Sequence, residues 1–147
     1  MLPDISSAEE KSEYNVYNAI GSIMTDKIML QAGQRSDMHY NIYLTRYLKE
    51  ILSASKRLKK LKHPLKEETI LEMIESVIYP RTVPDPSEFL NVVYSEHLEG
   101  TAEEKEAIIA QINLSELKND TFTLVTRYLK NNGFLKKKKK KKGFNDL

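Results

Sequence analysis

The chain has no cysteine, no tryptophan and only five glycines, and each shortage removes a class of chemistry. Without thiols there is no disulfide framework, no cysteine nucleophile and no zinc held by thiolate. Gly21, Gly33, Gly100, Gly133 and Gly143 are too scattered to write a dinucleotide-binding GxGxxG or a phosphate-cradling GxxxxGK[ST] loop, and no GxSxG elbow occurs. None of His39, His63 and His97 has a second histidine four residues on, so no imidazole pair shares a metal from one helix face. Apolar runs are short, as in Ile28-Met29-Leu30, and Met1 to Ile5 lacks the basic start and apolar stretch of an export signal. Together these absences predict a soluble intracellular protein, cytoplasmic or, in a eukaryote, nuclear. They also predict no membrane contact, no cofactor, no metal and no catalytic residues.

What is present is enough for a real core. A chain of 147 residues with 40% apolar side chains buries roughly 70% of its unfolded surface as one domain. Ser7-Ala8-Glu9-Glu10 has capping-box spacing, and Tyr14, Tyr17, Ile20, Met24 and Ile28 recur every three or four residues up to Gly33, which predicts a helix over about 8–31. Ser36 or Asp37 caps a second helix, a long one of about 37–62, stopped by His63-Pro64. Along it Tyr40, Leu44, Tyr47, Ile51, Ala54, Leu58 and Leu61 alternate spacings of four and three, a heptad seam that can pair with a partner or a second copy.

Leu71, Ile74 and Ile78 mark a third helix over about 66–78, ended by Tyr79-Pro80. The prolines of Pro80 to Pro86 call for an extended linker before a fourth helix that starts near Pro86 or Ser87 and stops before Gly100. Thr101-Ala102-Glu103-Glu104 is a second capping box and opens a fifth helix. Asn119-Asp120 is read as a break before a sixth, Thr121 to Asn131. No stretch alternates like a strand, so the expected fold is all-α, a single-domain bundle of about six helices over residues 1–135. Residues 136–147 are expected to form a disordered basic tail.

Two small constellations have chemical readings. Glu68, Glu72 and Glu75 line one side of the third helix, which fits a solvated face better than an acid/base or cation site. Arg35 and His39 are similar to the Arg/His pair of helical-bundle ribonucleases, but their gap is shorter, and a turn leading into the second helix accounts for them.

The net charge of +2 conceals strong segregation: residues 1–63 carry +3, residues 64–120 carry −9 and residues 121–147 carry +8. Like charges clustered in this way bear on partners rather than on fold. Lys56, Arg57, Lys59, Lys60 and Lys62 surround the C-terminal end of the second helix, where cations also complement the helix dipole. Lys136, Lys137, Lys138, Lys139, Lys140, Lys141 and Lys142 run without interruption and cannot enter a packed core. Ammonium groups in such clusters neutralise phosphates, and no aromatic interleaves them, so the expected mode is backbone contact without base reading. The expected role is a non-enzymatic accessory protein that binds nucleic acid non-specifically, or works beside it in a larger complex. The alternative is a protein–protein adaptor or assembly subunit that uses the seam Tyr40, Leu44, Tyr47, Ile51, Leu58 and Leu61.

Overall fold

A computed structural model of the chain describes residues 7–78 and 94–135, and within them every regular element is helical. Five helices follow in order: α1 (Ala8–Gln31), α2 (Asp37–Lys60), α3 (Glu67–Ile78), α4 (Ala102–Ala110) and α5 (Leu114–Asn131). The fourth helix expected from sequence lies mostly outside the described residues, as does the run Lys136 to Lys142.

Local chemistry fixes most of the boundaries. Both capping boxes form: Ser7 Oγ accepts from the Glu10 amide at 3.1 Å while the Ser7 amide donates to Glu10 Oε1 at 3.2 Å, and Thr101 and Glu104 repeat the exchange. The backbone hydrogen bond to Thr101 holds the Glu104 carboxyl below its ordinary range. At the other ends, α1, α2 and α5 all close in the same way, with paired backbone bonds and a left-handed residue. In α1 that residue is Gly33 (φ 75), in α5 Gly133 (φ 81), and in α2 it is Lys62 (φ 66), which is not a glycine. The His63 amide donates to the Leu58 carbonyl at 2.9 Å and the Lys62 amide to Lys59 at 3.1 Å, so α2 stops at Lys60, two residues before the expected end.

Three other expectations need correction. The last helix begins at Leu114 rather than Thr121, because the Asn113 side chain accepts from the Glu116 amide at 3.0 Å and caps it. Asn119 and Asp120 are no break: both point to solvent while Leu117, Thr121, Val125 and Leu129 continue the buried face at intervals of four. On α3 the buried residues are Ile70, Ile74 and Ile78, and Leu71 is 40% exposed. Nor is there a single long helix, since α1 and α2 both have 24 residues.

The bundle is built around α1, which packs extensively against α2 and also touches α3 and α5. Val16, Ile20, Ile23, Met24 and Ile28 are essentially inaccessible, together with Ile51, Ala54 and Leu58 from α2 and Ile70, Ile74, Val125 and Leu129 from α3 and α5. Helices α3 and α5 run antiparallel, with Glu67 3.5 Å from Lys130 at one end and Glu75 3.4 Å from Lys118 at the other. No described helix is long and apolar enough to cross a membrane.

Candidate nucleic-acid interface

Leu58 is fully buried, and its burial fixes the direction of its neighbours: Lys56, Arg57, Lys59 and Lys60 all stand exposed around the last turn of α2, and Lys62 follows them. Two of these cations are held in place. Arg57 Nε donates to Ser12 Oγ on α1 at 3.1 Å, and Ser12 Oγ in turn donates to the Ala8 carbonyl at 2.8 Å. Lys59 Nζ lies 5.4 Å from the centre of the Phe134 ring, a cation–π contact with the segment after α5. Lys56, Lys60 and Lys62 have no side-chain partner among the described residues.

Phe134 and Leu135, the last described residues, fold back onto α2. Leu135 is 8% exposed and shares a recess of about 320 Å³ with Ser55 and Lys59 of α2 and with Pro64 and Leu65. The Phe134 amide donates to the Leu129 carbonyl at 2.8 Å, which turns the chain back onto α2. Leu135, the last described residue before the lysine run, thus packs at the same end of the bundle as the lysines of α2. Of the acids, Glu9 lies 3.3 Å from His63 and Glu67 3.5 Å from Lys130.

The sequence reading names the lysines but not the packing of Leu135 beside Lys59. An apolar pair straight after the helix-ending Asn132-Gly133 was the available clue, because the residue two past a helix end commonly packs back on the last turn.

The other candidate residues are placed differently. Ile51 and Leu58 of the heptad seam lie in the chain's own core, Leu44 and Tyr47 are half-buried against the same core, Tyr40 is half-buried, and Leu61 is 40% exposed. Most of that seam therefore faces α1 and is closed to a partner. Arg35 and His39 do not act as a pair: Arg35 turns inward to Asp26, with Nη2 3.3 Å from Oδ1, and stacks 4.8 Å from the Tyr43 ring, while His39 is exposed. Glu68 and Glu72 face solvent, Glu75 meets Lys118, and among the described residues no group of three or more potential ligands could hold a metal.

No protein-family model, curated protein or solved structure matches the chain.

Proposed function

We propose that the protein is a non-enzymatic helical accessory factor that binds nucleic-acid backbone, or works beside nucleic acid in a larger complex, through one composite basic end. The observation that supports this reading most is the anchoring of Leu135 next to Lys59. Lys136 follows Leu135 in the sequence, and in this reading the lysine run leaves the bundle beside the lysines of α2, so that a single stretch of phosphates meets both. Each ammonium that neutralises a phosphate releases a counterion, and a lysine, as a point charge on a long stem, lacks the fixed fork that reads base edges.

Replacing Lys136 to Lys142 by glutamine should flatten the dependence of log K on log salt on duplex DNA, by roughly 0.9 for each phosphate no longer neutralised. The loss should be the same for A·T-rich and G·C-rich duplexes. A chain that binds no oligonucleotide at low salt overturns the reading. That result would favour the adaptor role, for which Met38 (64% exposed) and Ile42 (51% exposed), one turn apart on α2, are the available surface.

A further inference from the structure

No aromatic residue interleaves the lysines in the sequence, but packing sets one beside them. Lys59 Nζ lies 5.4 Å from the centre of the Phe134 ring. Phe134 is half-buried and Lys59 is exposed, so the ring face under that ammonium is turned to the surface. A flat group arriving on this face displaces only a flexible, solvated lysine stem, and the cation stays at hand.

Helix closure does not ask for the ring. The Gly133 amide donates to the Lys130 carbonyl at 3.1 Å and the Phe134 amide to the Leu129 carbonyl at 2.8 Å, the paired bonds that end α5. The position two past such an end calls for an apolar side chain, not for an aromatic one. Leu135, next in the chain and 8% exposed, already supplies a buried apolar contact.

The recess of about 320 Å³ that Phe134 helps to line falls within the range of small-ligand pockets, about 300–1,000 Å³. Pro64, Leu65 and Leu135 give it apolar walls, and its lining holds no carboxylate to repel an anion. The Ser55 hydroxyl there donates to the Ile51 carbonyl at 2.8 Å, which leaves Lys59 as the one side chain of the lining with a donor to spare. Such a surface offers flat apolar contact without reading a base edge. Cations stand next to it on α2: Lys56 is one turn before Lys59 and Lys60 directly after it, and neither has a side-chain partner among the described residues.

An outward aromatic face with unpaired cations at its side matches a polyanion that carries flat, uncharged rings. A duplex keeps its bases paired and stacked on one another, and drawing one out is costly, whereas a single strand has them free. We propose that this end of the bundle takes a base of a single strand onto the Phe134 ring, while Lys56, Lys59 and Lys60 meet the phosphates on either side of it. The inference rests on the proposed backbone contact and adds a preference to it. Phosphate contact alone favours the duplex, whose charge is denser and whose salt slope is about 0.9 per contact against about 0.7 for a single strand. A stacked base reverses that order.

The test compares a short labelled DNA single strand with the duplex of the same sequence, by fluorescence anisotropy with the full chain at low salt. The parent should bind the single strand more tightly. Phe134→Leu keeps an apolar side chain and every cation; it should weaken single-strand binding by about tenfold, the size of one lost stack, and leave duplex affinity and both salt slopes unchanged. Phe134→Trp should keep the parent's single-strand affinity. A strand of abasic nucleotides, which has the phosphates and no bases, should bind the parent about tenfold more weakly than the ordinary strand, a comparison that needs no variant to fold. If Phe134→Leu weakens both forms equally or neither, or if the abasic strand binds as well as the ordinary one, the stack is overturned while the phosphate contact stands. If no oligonucleotide binds at all, both are overturned.

Discussion

At the Ser12 end of α1, Lys56, Lys60 and Lys62 stand in water with no side-chain partner among the described residues, whereas toward the Met29 end Asp26 and Arg35 bring opposite charges to 3.3 Å inside a cleft. The two regions show what placement does to a charge. Exposed cations of one sign add little to stability and act at a distance, over about a Debye length, on any anion. A matched buried pair has little long-range field, and its energy is spent on holding neighbouring elements together. The first arrangement is what the proposed contact with phosphates requires, and the second is a feature of the fold's interior.

Both regions rest on the same α1–α2 packing, and the most damaging change acts there. Ile51→Asp puts an unpaired charge at a position with no exposure, and should lower stability by about 4 kcal/mol or more, enough to unfold a typical domain. Circular dichroism would show lost helix. A folded mutant of reduced oligomeric state would instead mean that the α2 seam joins separate chains.

Arg35→Met strands the Asp26 carboxylate and should cost about 2–3 kcal/mol in denaturant unfolding, less than for a sealed pair because the Arg35 side chain is 22% exposed. The double change Asp26→Leu with Arg35→Met should recover much of that loss. Equal stability of the single mutant and the parent would show that the charges of the cleft are as independent as those of the basic end.

Alkaline pH separates the regions again. Burial, and secondarily the charge of Tyr17, pushes the Tyr94 hydroxyl up to about 12 from an ordinary 10.0. Between those values the unfolded chain has released this proton while the folded chain still holds it, so the stability it contributes is complete below pH 10 and declines above. Tyr40 and Tyr47 are raised too, first by burial and then by Asp26, and add in the same direction. Tyr94→Phe should remove roughly 2 kcal/mol of the decline between pH 10 and 12, measured by urea unfolding. An unchanged pH profile would place the hydroxyl in water.

The smallest effect is expected at Lys62, where a left-handed φ of 66 disfavours any residue with a Cβ. Lys62→Gly should raise stability by about 1 kcal/mol and at the same time reduce the salt slope for duplex binding by roughly 0.9. Opposite signs in the two measurements would show that the basic end keeps a strained lysine for its charge.

Features decided within one or two helical turns were legible in the sequence. The capping boxes at Ser7 and Thr101 and the ends at Gly33 and Gly133 are set by neighbouring atoms, and the bounds 8–31 of the first helix follow from them. The start of α5 was misplaced because Asn119 and Asp120, poor helix formers, were weighed without the tertiary packing that holds Leu117 and Thr121 inward. Ile70 was passed over on α3 for a related reason: which of two adjacent apolar residues faces the core depends on where α1 and α5 lie. The lysines were visible as composition, but the packing of Leu135 beside Lys59 and the folding of Arg35 back to Asp26 were not. Such pairings are made by the packing of helices, and no spacing in the chain encodes them.

One measurement tests the composite basic end most directly: an amide shift map of the full chain titrated with a short DNA duplex at low salt. The account predicts that residues 56–62 and 133–135 shift together, with one affinity and a steep salt dependence, while Asp26, Arg35 and Tyr94 at the other end of α1 stay unmoved. Shifts confined to one of the two basic segments, or centred on the exposed carboxylates of α3, or absent altogether, would contradict it.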